Sequence, residues 1–491
     1  MAKLSRESTS CPAASSPVAG LAPAGEASSS SARTRRVPAP RFSARFPKED
    51  LSIIHRHAAG IDLSGRNGHF IAVEVSDSEL EVLEVGGMTP DIEVWVGYLV
   101  SHGVTTVAME ATSVYWMPVY DALEKVGIEV CLVNPSHAKN VPGRPKDDKL
   151  DARWLQKLHR YGLLSASFRP SEEIRPLQSL WRQRTTLVRQ MADAVRHQQK
   201  ALDMMNIRVH KVISDLAGAT GQRIVQAIIY GERDAVRLSA LRDKRCKCTE
   251  EELQAALTGY YQDHLVFGLK QAKERYDFLE KQVAQVDVEV ESRLIALIPE
   301  DDTVIADAVK QSSQPLPCGK HAPTFNVVAL LLMLLQVDPT ILPGIGAQIA
   351  LGLLAELGRD MTRWATDRHF GAYLGLAPLL KISGGKLLSS RTRHGIHPAA
   401  VLFLQAAAAV IQTDTALGAF YRRLAVRIGK PKALTATAYK IARMYYHLLR
   451  DGQAYVEQGA QQYEERYRKQ QLALLRKKAK SLGYEVIPAA A

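Results

Sequence analysis

Four acidic residues occur at positions from which their side chains could share a divalent cation. Asp62 lies near the end of the first predicted strand, and Glu110 directly follows a later one. Asp148 and Asp151 are three residues apart at the start of a predicted helix, on one helical face, and Asp147 is an alternative to Asp148 because it is also one turn from Asp151. Carboxylate oxygens are ligands for Mg²⁺ or Mn²⁺, and such ions stabilise the attacking and leaving oxygens at phosphorus. The four acids therefore indicate metal-dependent chemistry on phosphate esters.

The elements that must position these acids are predicted over residues 55–165. Three short runs rich in β-branched residues predict an antiparallel meander, and alternating helices and strands follow it. In chain order we predict strands at Ala58–Leu63, Phe70–Val75 and Leu80–Val85, a helix at Ile92–Ser101, a strand at Val104–Met109, a helix at Trp116–Lys125, a strand at Ile128–Val133 and a helix that begins near Lys149. This pattern predicts an α/β domain with a mixed sheet, and its order resembles that of a ribonuclease-H-like nuclease core.

Beyond Arg175 the sequence has helical periodicity for a long distance. Apolar residues between Leu269 and Val290 alternate at spacings of three and four, which predicts a long helix near 265–297, and a second is predicted near 176–205. We expect the two to pair as an antiparallel coiled coil; burial in an ordinary core is the alternative. Residues 206–262 are predicted to form a small helical cap, and Asp301–Pro323 is typical of a linker.

A glycine-containing turn precedes an apolar helix in the C-terminal part. Gly344 and Gly346 lie in a Pro-Gly-Ile-Gly sequence before Ala347–Leu357, as in helix-hairpin-helix DNA-binding proteins, where glycine lets the backbone approach a phosphate. A tight turn between two core helices is the alternative. Lys430 and Lys432 are further candidates for phosphate contact, and a solvated basic helix is the alternative there.

Composition narrows the classes of partner and of protein. The 491 residues predict two or three domains, and a formal net charge of +12 with 46% hydrophobic residues favours a folded protein with a polyanionic partner, nucleic acid first. No stretch reaches the roughly 18 uncharged apolar residues of a membrane helix. Five scattered cysteines suit the reducing cytoplasm. The first 48 residues, rich in Ala, Ser, Pro and Arg, predict a disordered basic arm.

Several short motifs resemble transposases of the insertion sequence 110 family. Gly60-Ile61-Asp62, Met109-Glu110-Ala111-Thr112 and the run from Lys146 to Ala152 resemble the DEDD set of that family's RuvC-like domain. Leu342–Gly346, Phe370–Pro378 and Ser383-Gly384-Gly385 resemble its C-terminal transposase domain. The resemblance extends over residues 55–455.

The resemblance implies a DNA recombinase whose catalytic serine is Ser383 and whose four acids Asp62, Glu110, Asp148 and Asp151 bind Mg²⁺ or Mn²⁺. A covalent phosphoserine conserves the energy of the phosphodiester, so strands can be exchanged and rejoined without ATP. We expect Gly384 and Gly385 to let DNA approach, and Lys386, Arg391 and Arg393 to neutralise phosphate. Ser389 and Ser390 are close enough to be alternative nucleophiles.

The family also implies partners and an assembly. These are donor and target double-stranded DNA, a structured guide RNA that pairs with both, and a homodimer or homotetramer in the cytoplasm, associated with the nucleoid when DNA is bound. The predicted organisation is a basic arm (1–48), a RuvC-like domain (55–165), a coiled-coil region (172–298), a linker (299–324), a mainly helical transposase domain (325–455) and a basic C-terminal helix and tail (456–491). A hydrolytic, junction-resolvase-like nuclease and an inactive nucleic-acid-binding regulator are the alternative functions.

Overall fold

The computed structural model describes residues 52–64, 68–76, 79–111, 113–134, 148–298, 321–393, 397–452 and 459–486. The basic arm predicted over residues 1–48 and most of the linker predicted over 299–324 lie outside the described residues. The chain divides into two compact units, Met1–Ser167 and Phe168–Ala491. No helix in the described ranges combines the length and the apolar character needed to cross a membrane.

The first unit contains a five-stranded mixed sheet. Its strands are β1 (Ala58–Leu63), β2 (His69–Ser76), β3 (Glu79–Val85), β4 (Thr106–Glu110) and β5 (Glu129–Val133), in the order β3-β2-β1-β4-β5. β1 pairs antiparallel with β2 and parallel with β4, and β4 pairs parallel with β5. The predicted mixed sheet is confirmed. Each predicted strand is present, β1 with the predicted bounds and the others with ends shifted by at most two residues.

Helices cover both faces of this sheet. α1 (Thr89–Ser101) and α2 (Trp116–Lys125) pack on one face, where Ile61 and Met109 are buried with Leu99 and Leu123. α3 (Asp148–Arg160) packs on the other face, where Leu155 shares a buried cluster with Ala108. Because side chains alternate along a strand, the first face takes the odd-numbered residues of β1 and β4 and the second takes the even-numbered ones.

Gly60 lets α3 lie directly on β1. A Cβ atom at this position would be 2.3 Å from the carbonyl oxygen of Ala152 and 2.4 Å from the amide nitrogen of Gln156. Any side chain would therefore collide with the backbone of the helix, which has no flexible end to move aside. The close approach fixes the first turns of α3 beside the strand that carries Asp62.

Two long antiparallel helices dominate the first part of the second unit. α4 (Arg175–Met204) and α9 (Asp263–Ala296) are joined by a buried ion pair from Arg184 Nε to Asp287 Oδ1 at 2.5 Å and by a hydrogen bond that Gln198 donates to the carbonyl of Ala272. Residue numbers rise along one helix as they fall along the other, so the predicted antiparallel pairing is present. Supercoiling of the pair, and a role in dimer formation, remain predictions.

Short helices cover the far end of this pair. They are α5 (Val209–Val212), α6 (Ala219–Ile229), α7 (Ala235–Ser239) and α8 (Glu250–Leu257), and we call them the cap. Ile224 and Leu253 of the cap are buried in one cluster with Leu202 of α4 and Leu269 of α9. The helical cap predicted over 206–262 is therefore part of the structure.

The rest of the second unit is mainly helical. It contains α10 (Val327–Leu335), α11 (Ala347–Leu357), α12 (Asp367–Tyr373), a hairpin of β6 (Lys381–Ser383) and β7 (Lys386–Ser389), then α13 (Pro398–Ala409), α14 (Ala416–Ile428), α15 (Lys430–Asp451) and α16 (Gly459–Ser481). Trp181 of α4 and Val290 of α9 are buried in the same cluster as Phe370 and Phe403. The near end of the long helix pair is therefore embedded in the C-terminal core.

Candidate active site

Asp62 and Glu110 lie side by side on the two central parallel strands. Ile61 pairs with Met109, so the next residues on each strand are neighbours about 4.8 Å apart. Both belong to the even-numbered face, which α3 covers. Glu110 is buried, with 4% of its surface exposed, and Asp62 is half-buried. The sheet thus brings together two of the four predicted acids without help from any loop.

A regular series of contacts along α3 places Asp151 near this pair. Thr106 Oγ1 lies 2.8 Å from His159 Nε2, and Ala108 shares its buried cluster with Leu155. Two residues along a strand and four along a helix cover similar distances, so continuing the series points the start of α3, with Asp151, towards the end of β4 that carries Glu110. Asp62, Glu110 and Asp151 therefore belong to three elements that meet at the same end of the sheet.

Lys149 supports the same placement of the helix start. Its ammonium group lies 5.8 Å from the centroid of the Phe70 ring, and Phe70 pairs with Asp62 across β1 and β2. The sequence places Lys149 at the start of this helix but does not predict its contact with Phe70. Asp148 is the first residue of α3, but its side chain and all of Asp147 lie outside the described residues.

The donor chemistry of this edge suits a hard divalent cation. Asp62, Glu110 and Asp151 offer only carboxylate oxygens, which Mg²⁺ and Mn²⁺ prefer over nitrogen or sulfur. Within the described ranges, however, no group of three or more His, Cys, Asp or Glu side chains is arranged closely enough to hold a metal ion. The acids present fit the ion in type, and the set of four that the sequence predicts is not assembled there.

Ser383 lies at the tip of the β6–β7 hairpin. Gly384 and Gly385 form its two-residue turn with φ values of +54° and +74°. Two consecutive positive φ values match the type I′ turn that suits the twist of a hairpin, and glycine adopts them without strain. The two glycines predicted to admit DNA therefore also make the turn that presents Ser383, which is exposed.

The hairpin has a polar and an apolar face. Ser383 pairs with Lys386, and Ile382 pairs with Leu387. Paired residues of an antiparallel ladder project to the same side, so Ser383 and Lys386 share one face with Cβ atoms about 5 Å apart. Ile382 and Leu387 share the other face and are 62% and 60% exposed. Lys386 is thus well placed to neutralise a phosphate that reaches the serine.

The alternative serines have different surroundings from Ser383. Ser389 Oγ accepts a hydrogen bond from the amide of Arg391 at 3.3 Å, and Ser390 lies just past the end of β7. Within the described part of the chain, no hydrogen bond engages Ser383 Oγ. Arg391 and Arg393 are exposed on the segment that follows β7. Ser383 and Ser390 are both exposed, whereas Ser389 is half-buried, and of the three only Ser383 lies next to the turn.

The other predicted nucleic-acid contacts are spread over the second unit. Gly344 has a φ of +86°, and a Cβ atom there would be 2.2 Å from the carbonyl of Ala406, so this glycine is required for packing against α13. Gly346 precedes α11 and has open space around it. Lys430 and Lys432 are exposed in the first turn of α15. Their binding to nucleic acid stays a prediction.

A mixed sheet in the order 3-2-1-4-5 with carboxylates on its central parallel strands is consistent with a transposase domain of the DEDD class built on a ribonuclease-H-like fold. Two protein-family models match the sequence. The family model for DEDD transposases of IS110 elements, described as "Transposase", matches residues 59–207, and the family model "Transposase IS116/IS110/IS902 family" matches residues 340–422. The chain belongs to the IS110 family of transposases. No curated protein matches it. Family membership makes it an enzyme of DNA transposition, with DNA as substrate, and suggests dependence on a divalent metal.

Proposed function

We propose that this transposase cuts and rejoins DNA through a covalent bond between Ser383 and phosphorus. The observation that carries the proposal is the exposed Ser383 on a glycine turn, with Lys386 directly across the hairpin. A hydroxyl on a protruding tip can reach a phosphodiester in a duplex, which a serine in a pocket could not. The neighbouring ammonium group offsets the charge that develops on the phosphoryl oxygens.

The chemical step exchanges one ester for another. Ser383 Oγ attacks phosphorus, an Oγ–P bond forms, and the P–O bond to one DNA strand breaks. The hydroxyl proton leaves to a base, and the departing DNA oxygen takes up a proton. Attack by the hydroxyl of a second strand reverses these changes and releases the serine, so the number of phosphodiester bonds is unchanged.

The acidic edge of the first unit would hold Mg²⁺ or Mn²⁺ through Asp62, Glu110 and Asp151, together with Asp148. When bound, the ion supplies positive charge that stabilises the attacking and leaving oxygens. The role of the protein residues is to fix the ion beside the sheet, since Asp62 and Glu110 are held by strand pairing rather than by loops.

The partners and the assembly are part of the same proposal. A structured guide RNA selects donor and target DNA by base pairing, and the protein contacts mainly the phosphate backbone, for which a net charge of +12 is suited. The α4–α9 pair acts as a coiled coil in a homodimer or homotetramer. Gly346 and the start of α11 act as a helix-hairpin-helix-like phosphate contact. The protein works in the cytoplasm, at the nucleoid.

Trapping the covalent intermediate tests this function. Labelled donor DNA, Mg²⁺ and RNA transcribed from the element are incubated with the full-length chain, and protein–DNA adducts are separated under denaturing conditions. We expect an adduct in the wild type and in Ser390→Ala, and none in Ser383→Ala. Adduct loss only in the Ser389 or Ser390 variant would reassign the nucleophile.

The same experiment addresses the hydrolytic alternative. A junction-resolvase-like nuclease would cut DNA in Ser383→Ala as fast as in the wild type, because water would be its nucleophile. Cleavage that continues without any adduct would therefore refute the recombinase proposal. A strand-transfer product that requires Mg²⁺ would exclude an inactive regulator.

A further inference from the structure

Tyr373 and His397 stand at the two ends of the segment that carries the serine hairpin. Tyr373 is the last residue of α12, His397 immediately precedes α13, and Ser383 lies between them in the chain. Tyr373 Oη and His397 Nε2 are 2.6 Å apart. This hydrogen bond, which we call the clasp, joins the point where the segment leaves the helical core to the point where it returns.

The position of the proton on His397 follows from the hydrogen bond that its other ring nitrogen accepts. His397 Nδ1 accepts a hydrogen bond from the amide of Ala399 at 3.1 Å and so caps α13. A neutral imidazole that accepts at Nδ1 carries its proton on Nε2, so His397 donates to the Tyr373 oxygen. Burial lowers the pKa of His397 to about 4, and burial also raises the pKa of Tyr373. Both side chains are therefore neutral in a cell, and the direction of the bond is fixed.

The surroundings hold the clasp in one geometry. The Tyr373 ring lies 5.2 Å from the Trp364 ring and 5.7 Å from the Phe168 ring, measured between centroids. Nearby, the buried carboxylate of Glu356 accepts hydrogen bonds from Arg182 at 2.9 and 2.7 Å and contributes to raising the pKa of Tyr373. A polar group in such surroundings is costly unless it is paired, so the tyrosine and histidine have little freedom to separate.

A short ladder leads from the clasp to the hairpin. Pro378 and Thr392 form an isolated bridge, and Leu379 donates its amide to the carbonyl of Arg391 at 2.9 Å. Beyond these contacts the residues from Lys381 to Leu388 are exposed. A two-stranded hairpin alone is marginally stable in water. Its direction therefore depends on this bridge and hydrogen bond at its base, and on the half-buried Tyr373 and His397 at the two ends of the segment.

We propose that Tyr373 and His397 are positioning residues: the clasp fixes the base of the hairpin and thereby aims Ser383 at the phosphodiester. The inference rests on the proposed function, in which Ser383 is the nucleophile. Neither clasp residue touches DNA in this account. Their effect on the reaction passes through the orientation of the hairpin, to which a reacting atom at its tip is highly sensitive.

A double-mutant cycle on the full-length chain tests the clasp. Tyr373→Phe removes only the hydroxyl, and His397→Ser keeps an oxygen that can cap α13 but is too short to reach Tyr373. Hydrogen exchange at the Leu379 amide reports the base of the hairpin without DNA. We expect each single variant to exchange about tenfold faster there, the loss that one hydrogen bond can cause, and the double variant to be no faster than either.

The second measurement is the rate constant of adduct formation at saturating DNA, with DNA affinity measured separately. We expect the rate constant to fall about tenfold in each single variant and equally in the double variant, with affinity unchanged, as for a lost hydrogen bond that acts only on orientation. Tyr445→Phe is the matched control, because the buried Tyr445 hydroxyl has no hydrogen-bond partner in the described part of the chain. It should leave both measurements unchanged.

Three results would overturn the inference. They are an unchanged Leu379 exchange in Tyr373→Phe, faster exchange with an unchanged adduct rate, and single-variant effects that multiply in the double variant. An adduct that persists in Ser383→Ala overturns the proposed function itself and the positioning role with it. The exchange measurement then still decides whether the clasp holds the segment, so the two failures are distinguishable.

Discussion

The acidic edge of the first unit and the serine hairpin of the second are built on opposite principles. Asp62 and Glu110 are fixed by backbone pairing in the middle of a sheet, and α3 covers them at a distance that only Gly60 permits. Ser383 lies on two short strands whose apolar face is uncovered. The comparison teaches that strand pairing fixes Asp62 and Glu110 in the folded chain, whereas the hydroxyl depends on contacts at the base of its hairpin.

Removing one of the acids should have the largest effect. In Glu110→Gln the side chain keeps its size but loses its charge, and we expect strand transfer to fall on the order of a thousandfold because the cation loses a ligand. Thermal unfolding should stay within a few degrees of the wild type. Glu84→Gln on β3 is the control, because Glu84 is exposed on the same sheet. Equal activity of the two variants would remove Glu110 from the site.

Gly60→Ala should destabilise the first unit, because the added methyl group collides with the backbone of α3. The new methyl group meets helix backbone at 2.3 Å, and we expect the free energy of unfolding to fall by about 3 kcal/mol. Gly97→Ala on α1 is the control: its Cβ meets nothing within 4 Å, so it should gain about 0.5–1 kcal/mol from better helix propensity. Urea denaturation of both variants measures the difference. A Gly60→Ala protein as stable as Gly97→Ala would show that α3 is not held where the structure has it.

Acid should weaken the first unit through His159. This ring is buried, stacks on His55 and is paired with Thr106; burial, and secondarily the nearby His55, lower its pKa from 6.5 to about 4. Below pH 6.5 His159 therefore binds a proton in the unfolded chain, whereas in the folded chain it stays neutral until the pH approaches 4. Stability is complete above pH 6.5 and falls as the pH drops towards 4, by about 3 kcal/mol in total.

Urea denaturation of the wild type and of His159→Gln, above pH 6.5 and near pH 4, measures this loss. The glutamine variant cannot take up the proton, so its stability should vary less over this range. His397 lowers stability in the same direction in the second unit, which leaves part of the pH dependence in place. Identical pH profiles of variant and wild type would contradict the assignment to His159.

The smallest effect is expected from a single charge on the hairpin. Lys386→Gln should reduce the slope of the logarithm of DNA affinity against the logarithm of salt concentration by about 0.9, the value for one phosphate contact on duplex DNA. Lys281→Gln, exposed on α9, is the control and should leave the slope unchanged. Equal slopes for both variants would place Lys386 away from the DNA backbone.

The two regions also differ in how far the sequence predicts them. The strands of the sheet are predicted because burial of β1 and β4 on two faces, and partial burial of the outer strand β3, enforces β-branched or alternating apolar runs, although β4 extends to Glu110 rather than ending at Met109. The hairpin is not predicted: it is short and exposed on both faces, so no burial pattern marks it, and Gly384-Gly385 was its only signal. The clasp joins residues 373 and 397, which only the tertiary fold brings together.

The site residues, too, are predictable from the sequence where a local pattern marks them and not where they depend on the tertiary fold. Asp62 and Glu110 are predicted as neighbours because strand ends can be read from the sequence. The placement of Asp151 at the same end of the sheet depends on the packing of α3 on Gly60, which no local pattern specifies. Gly344 shows the converse. Its motif is typical of phosphate binding, but the glycine is also required because Ala406 lies too close in the core for a side chain.

The long helix pair has one end in the C-terminal core and the other in the cap. With 30 residues in α4, it measures about 45 Å, so it can work as a lever. A tilt of roughly 5° at its embedded end would swing the cap by about 4 Å over this length. A tilt of the pair would thus produce a larger displacement at the cap than at the embedded end, and a probe attached to the cap would detect it most readily.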